Sequence, residues 1–295
     1  MTDDIPPSRA GARKPEPGLH LVATPIGAAR DITLRALDIL AGADVLAAED
    51  TRTLRHLMEI HGIPVAGRPL IAYHDHNGDA VRPRILAALA EGKSVAYASE
   101  AGTPLVADPG MKLAREAIAS GYRVLSAPGP SAVLAALSVA GLPTDRFLFA
   151  GFPPSSAGAR RSWMAELAAI PATLVIYESP KRVSRTLSEL RESMGQSRMA
   201  AVCRELTKRF EDVSRGTLAE LADRFAGQEP KGEIVLVIDR GADVVASEAD
   251  VEKALAGALA APGARIKEVA TEVATRFGLA RRDVYQMALR LAERE

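Results

Sequence analysis

The stretch Ser99 to Pro109, SEAGTPLVADP, gathers acids, small residues and prolines into one loop. Gly102 lets a ligand approach the backbone closely, and Pro104 and Pro109 stiffen the loop that makes the approach. The run before it, Ser94-Val95-Ala96-Tyr97-Ala98, reads as a short apolar strand, and the chain after Gly110 reads as a helix start. In an alternating α/β chain, ligands bind where strands end and helices begin. The same residues also suit a tight crossover turn, so the loop alone leaves both readings open.

The elements that must position this loop follow a regular rhythm. Strands are expected over 19–23, 45–48, 70–73, 95–98 and 122–125, alternating with helices opened by Thr33 and over 51–61, 81–91, 111–120 and 131–140. Such alternation predicts a largely parallel sheet covered by helices. Gly141 to Gly158 breaks the rhythm with Gly, Pro and Ser, including Phe152-Pro153-Pro154-Ser155-Ser156, as a domain junction does. Beyond it the pattern predicts strands over 173–177, 199–203 and 233–238, a pair of polar extended runs around 210–217, and helices over 180–193 and 218–225. Strands adjacent in sequence point to a mixed sheet there. Past Arg240 the chain turns alanine-rich and helical, with helices over 266–277 and 281–291 joined at Gly278 like a helix-turn-helix pair. The expected organisation is a disordered tail (1–18), an N-terminal α/β domain (19–140), a junction (141–158), a second α/β domain (159–240), and a linker with a C-terminal helical region (241–295).

Composition narrows the function classes. The 295 residues suffice for a large core, and the formal net charge is zero, so nucleic acid would be held by local patches rather than a global basic field. The single cysteine, Cys203, forms no internal disulfide and no thiolate metal cluster. No segment has the apolar length of a membrane span, and the N-terminus lacks an apolar signal core, which predicts a cytoplasmic protein with no membrane partner.

Several motifs occur in order: Leu21-Val22-Ala23-Thr24-Pro25-Ile26-Gly27 with Asp31-Ile32-Thr33-Leu34-Arg35-Ala36, Ala48-Glu49-Asp50-Thr51-Arg52, Tyr73-His74-Asp75-His76-Asn77, Ala101-Gly102-Thr103-Pro104, Pro128-Gly129-Pro130-Ser131-Ala132, Tyr177-Glu178-Ser179-Pro180, Arg204-Glu205-Leu206-Thr207-Lys208 and Lys231-Gly232-Glu233-Ile234. Together they resemble the tetrapyrrole-methylase superfamily, and more closely its ribosomal RNA branch, the small-subunit methyltransferase I group that 2'-O-methylates a cytidine of 16S rRNA near the decoding centre. The resemblance covers Leu19 to Ile238, and Ile266 to Leu291 is similar to the short C-terminal helical region of many members.

The resemblance implies a two-domain α/β methylase fold, with a parallel-rich N-terminal sheet, a mixed second sheet and a small helical region. It also implies S-adenosylmethionine held in the cleft between the domains, a homodimer, and 16S rRNA in the small ribosomal subunit as partner. The positions that match the family's cofactor contacts are Pro25, Glu100, Ala101, Gly102, Thr103, Val106, Ser131, Ala132, Tyr177, Leu206 and Ile234. An acid beside unpaired amides suits the cofactor's ammonium and carboxylate, and Leu206 and Ile234 are expected to supply an apolar slot for adenine. The chain departs from the family pattern at two points: Glu100 stands where Asp is usual, and Ala28 where Asn is usual.

For methyl transfer to a ribose hydroxyl, the candidate proton acceptors are Glu49, Asp50, His74 and Lys208, with His76 and Glu205 beside them; a lysine serves only if burial lowers its pKa. Candidate RNA contacts are Arg30, Arg52, Arg160, Arg161, Lys181 and Arg182, the pair at 160–161 flanking Trp163, which stacks on a base or packs inward. The alternatives are a methylase of a tetrapyrrole or corrinoid precursor and a non-catalytic RNA-binding assembly factor. Ala-Gly-Thr-Pro opposes the first of these, since tetrapyrrole-acting relatives usually carry Gly-Asp-Pro in that loop.

Overall fold

The computed structural model describes residues 14–74, 76–241, 248–259, 264–277 and 279–292. The bulk of the expected N-terminal tail, Asp75 and the Gly278 junction lie outside the described residues. Two compact units emerge, meeting in sequence between Asp239 and Arg240.

The first unit holds two five-stranded sheets. One contains β1 (Gly18–Val22), β2 (Val45–Ala48), β3 (Leu70–Ala72), β4 (Ser94–Ala98) and β5 (Val124–Ala127), in the order β3-β2-β4-β1-β5. Every pairing is parallel. β2 and β4 are buried at every position, as strands covered on both faces must be, and separate apolar clusters fill the two sides. Between the strands run α1 (Leu34–Gly42), α2 (Thr51–Ile60), α3 (Gly78–Ala90) and α4 (Met111–Ala119). Thr33 caps α1, its hydroxyl accepting from the Ala36 amide at 3.2 Å, and Asp50 caps α2 through the Arg52 amide at 2.7 Å.

The second sheet has the order β6-β7-β10-β8-β9: β6 (Phe147–Gly151), β7 (Thr173–Glu178), β8 (Met199–Arg204), β9 (Asp212–Thr217) and β10 (Ile234–Ile238). β6 pairs parallel with β7 and the other pairs are antiparallel, so the sheet is mixed. α6 (Ala157–Ala168), α7 (Val183–Met194) and α8 (Leu218–Arg224) cover one face. The other face is covered by α5 (Ala132–Ala140), whose Val133, Ala136 and Leu137 pack on Val175, Ala201 and Val237.

Some expectations need correction. The stretch taken as a junction contains β6, an edge strand of the second sheet, and the start of α6. β5 begins two residues later than expected, at Val124, and α7 begins at Val183, because Ser179 to Arg182 form a turn first. The extended runs near 210–217 are a single strand, β9. Residues at the end of the expected tail are ordered: Lys14 pairs with Asp44 at 2.9 Å, and Gly18 already belongs to β1.

Among its described residues the second unit packs three helices where two are expected: α9 (Glu248–Leu259), α10 (Ile266–Phe277) and α11 (Arg281–Ala292). Its small core joins Val251 and Leu255 of α9 to Val269, Ala270, Val273 and Ala274 of α10 and Val284 and Ala288 of α11. No described helix is long and apolar enough to cross a membrane.

Candidate functional site

The loop after β4 is tied to the loop after β1 by backbone and hydroxyl bonds. The Thr24 and Gly102 amides donate to each other's carbonyls at 2.9 and 3.0 Å, a single antiparallel bridge outside the sheets. The Thr24 hydroxyl donates to the Ser99 carbonyl at 3.1 Å, and the Ser99 hydroxyl to the Gly102 carbonyl at 2.6 Å. Both side chains are buried, so this polar knot is fully internal and holds Gly102 at φ +81°. A Cβ there would sit 3.4 Å from Ile26, and only glycine adopts that backbone without cost. Thr103 extends the knot by donating to the Pro130 carbonyl at 3.0 Å, just before α5.

A second loop closes on the first from the β8 side. The Ala28 amide donates to the Thr207 hydroxyl at 3.1 Å, and a Cβ on Gly27 would lie 2.5 Å from Lys208 Cγ and 2.6 Å from Thr207 Oγ1. Ala28 itself occupies a cap position without a side-chain cap bond, as the exchange of Asn for Ala implies. Leu105, Ala107, Glu205 and Thr207 all adopt left-handed backbone, with φ of 71°, 55°, 51° and 63°. For branched or bulky residues that conformation costs energy, and it concentrates where backbone is held for a purpose.

The expected cofactor positions therefore fall on neighbouring loops. Pro25, Gly102 and Thr103 belong to the knot or its flanks, while Glu100, Ala101 and Val106 are exposed around it. Ala132, Tyr177 and Leu206 share one apolar cluster with Ile26, and Ser131 stands at the N-cap of α5 with no side-chain cap bond. Ile234 departs from expectation. Its side chain lies in the core under α6, α7 and α8, on the opposite face of the sheet from Leu206, so it forms no apolar slot with that residue. Phe149 and Phe152 stand edge-on to Tyr177 with ring centres 4.7 and 5.5 Å away, and Phe152 remains exposed.

Beyond the ends of β2, β3 and β4 a cavity of about 350 Å³ is lined by Glu49, Tyr73, His74, Asp79, Asp108 and Lys112, together with Gly78, Ala107 and Pro109 to Met111. Sequence reasoning missed Asp108. The buried Tyr97 hydroxyl donates to the Pro109 carbonyl at 2.5 Å and lies 3.2 Å from Asp108 Oδ1. Burial, then the charge of Glu49, pushes the Asp108 carboxyl up to about 7, against the opposing pull of Tyr97 and the Leu105 amide. Burial raises Tyr97 and Tyr73 as well. Asp108 Oδ2 and His74 Nδ1 are buried and have no hydrogen-bond partner among the described residues.

The other candidate proton acceptors are otherwise engaged. Asp50 is bonded by the Arg52 side chain and amide, which hold its carboxyl down at about 2; it is a helix cap. Lys208 does not have the lowered pKa that a base requires. Burial pulls it down, but bonds to Glu205 at 2.9 Å and Glu233 at 3.1 Å outweigh that and raise it. His76 is exposed, with its ring 6.0 Å from that of His74.

The basic candidates divide sharply. Arg160 is 2% exposed at its side chain and holds Glu189 through two bonds, at 2.5 and 2.7 Å, while also donating to the Pro154 and Ser155 carbonyls. It is a structural cation, unavailable to phosphate, and Trp163 packs inward against the same core. Arg182 is partly covered and paired with Glu178 at 2.8 Å. Arg30, Arg52, Arg161 and Lys181 are exposed, although Arg52 also pairs with Asp50. Lys181 borders an open hollow of about 530 Å³ with Arg185 and Arg191, between α7 and α8. None of the residues lining that hollow belongs to the tied loops around Thr24, Gly102 and Thr207.

Comparison with known proteins places these features in a family. Residues 18–222 match the model of the tetrapyrrole (corrin/porphyrin) methylases, and residues 245–292 match that of the RsmI C-terminal HTH domain. The chain is 47% identical to the ribosomal RNA small subunit methyltransferase I of Mesorhizobium japonicum, over 96% of this chain and 95% of that one. It is 41% identical to the protein of the same name from Mycobacterium tuberculosis, covering 92% and 94% of the two chains. Among solved structures, a cobalt precorrin-4 methyltransferase of cobalamin biosynthesis shares the fold with a TM-score of 0.57 at 18% identity, covering 75% of this chain and 94% of that one. The uroporphyrin-III C-methyltransferase of Thermus thermophilus, solved with S-adenosyl homocysteine, gives a TM-score of 0.52 at 21% identity, covering 75% and 96%.

Proposed function

The chain belongs to the tetrapyrrole methylase family, in its ribosomal RNA small subunit methyltransferase I branch, and on that premise we propose that it methylates the 2'-hydroxyl of a cytidine in 16S rRNA near the decoding centre. The observation that carries this reading is likeness along 96% of the chain, C-terminal helices included, to proteins named for ribosomal RNA, whereas the solved tetrapyrrole enzymes match about three quarters of it. The methyl donor is S-adenosylmethionine, in keeping with the S-adenosyl homocysteine held by a structural relative.

The loops fit such a donor. Gly102, buried in the knot at a conformation other residues avoid, holds the loop in place, Glu100 beside it offers an exposed carboxylate for an ammonium group, and Ala132, Tyr177 and Leu206 offer an apolar wall. When bound, the cofactor supplies a methyl group already activated on a sulfonium, which leaves alignment and proton removal to the protein. The knot of Thr24, Ser99 and Gly102 fixes one wall of the site, and the Ala28–Thr207 bond fixes the other. Arg30, Arg52, Arg161 and Lys181 are the cations that meet RNA phosphates.

The test supplies tritiated S-adenosylmethionine to purified protein with small-subunit particles. Label is expected in 16S rRNA, at one cytidine whose ribose resists alkaline cleavage, and Gly102→Trp, which fills the space beside the knot, is expected to lose both cofactor binding and transfer. Label on a base atom, or only on a uroporphyrinogen or precorrin, would refute the proposal.

A further inference from the structure

Glu49 and Asp108 reach the same cavity from different elements. Glu49 immediately follows β2, and Asp108 lies on the loop that begins with the expected cofactor positions 100–106 and runs into the cavity wall. Asp108 Oδ1 is near the Tyr97 hydroxyl at 3.2 Å, while Oδ2 is buried and receives no donor among the described residues. Glu49 lines the same cavity as Asp108, and its negative charge is one of the influences that raise the Asp108 carboxyl. Two carboxylates so placed cannot both stay ionised cheaply, and a proton held between them satisfies the buried oxygen that otherwise has no donor. The other titratable groups of the wall are Tyr73 and His74 from the end of β3, Asp79 from α3, Tyr97 from β4 and Lys112 from α4. Arg82 is engaged with Asp79 at 2.5 Å and Glu116 at 2.6 Å, and Lys112 lies 3.9 Å from Asp79.

We infer that Asp108 is a positioning residue for the methyl transfer proposed above, on which this inference rests: it shares a proton with Glu49, and Glu49 takes the proton of the ribose hydroxyl. The cavity, at about 350 Å³, is within the size range of sites that receive small molecules, roughly 300–1,000 Å³. In the step, the ribose oxygen forms its bond to the methyl carbon as the carbon–sulfur bond breaks, the sulfur keeping that electron pair and losing its positive charge. The reactive form is the pair with both carboxylates ionised: the hydroxyl proton passes to Glu49 and is shared with Asp108, leaving the singly charged, proton-sharing pair, and that proton returns to solvent after the product departs. A pair that gains its proton near neutral pH is a far better acceptor there than an isolated carboxylate with ordinary acidity. Asp108 thereby supplies the proton affinity, and Glu49 the contact.

The test follows single-turnover methyl transfer to small-subunit particles from pH 5 to 9, with cofactor affinity measured by calorimetry on the same proteins. Wild type is expected to gain about tenfold per pH unit and level off above about 7. Asp108→Asn is expected to lose about tenfold or more on the plateau and to move the rising limb down by about one pH unit or more, with cofactor affinity within about twofold. Glu49→Gln is expected to lose about a hundredfold. Should Asp108→Asn fail to fold, Tyr97→Phe provides the second reading: it removes a bond that lowers the Asp108 pKa, so the limb must move to higher pH. An Asp108→Asn enzyme within threefold of wild type with its limb unmoved, or a Tyr97→Phe limb that stays in place or moves down, overturns the inference alone. A wild type that binds cofactor but methylates no small-subunit RNA refutes the functional reading, and the inference falls with it.

Discussion

Asp108→Asn is also expected to make the protein more stable, and only at higher pH. The carboxyl has its pKa raised from 3.8 to about 7, so ionising it in the folded protein costs more than in the unfolded chain. Its stabilising contribution, as the neutral acid, is complete below 3.8 and is lost as pH rises through about 7. Taken at face value that difference is about 4 kcal/mol, and partial solvent access reduces it to about 1–2 kcal/mol. Asparagine cannot ionise, yet it keeps an oxygen for the Tyr97 hydroxyl and an N–H to donate towards Glu49. Thermal unfolding of wild type and variant should therefore nearly coincide at pH 4 and separate at pH 8, the variant melting about 3–6 °C higher. A variant destabilised equally at both pH values would show that Asp108 is an ordinary ionised, hydrogen-bonded carboxylate, and the shared proton would have no basis.

Arg160→Ala should cost about 3 kcal/mol in denaturant titrations, because it strands Glu189 and the Pro154 and Ser155 carbonyls, while Arg161→Ala should stay within about 0.5 kcal/mol. Equal effects would contradict the division between them. In the full-length chain, replacing the exposed Lys267, Arg281 and Arg282 together by alanine should weaken small-subunit binding and flatten its dependence on log salt by about 2–3. An unchanged slope would remove the terminal helices from RNA contact.

The sequence discloses most readily what is decided locally. β2 matches its expected limits because four consecutive apolar residues lie between an acid at Asp44 and a capped helix start, and Thr33 announces α1 through its own hydroxyl. β6 escaped notice because it is a half-buried edge strand set among Gly and Pro, where one neighbour strand, not its own pattern, makes it a strand. Arg160 reads as a candidate phosphate ligand because arginines bind phosphates and Trp163 nearby could stack on a base, but its partner Glu189 lies on another helix. Asp108 was visible only as one acid in a proline-bounded loop. What changes its chemistry, Tyr97 above and Glu49 beside it, comes from other strands, and no local spacing records that meeting. Ile234 shows the same limit from the other side: its motif was plain, but which face of β10 it occupies depends on the register with β7 and β8.

The left-handed residues Leu105, Ala107, Glu205 and Thr207 carry a consequence for laboratory evolution. Each holds a conformation that glycine adopts freely, at a cost of about 1 kcal/mol or more. A library screened for heat resistance alone should enrich glycine or asparagine at these positions, Thr207 above all, since its branched side chain is the most strained. The same library screened for methyl transfer should keep Thr207, whose hydroxyl receives the Ala28 amide. Sequencing both outputs would map, position by position, where endurance and turnover make opposite demands on the chain.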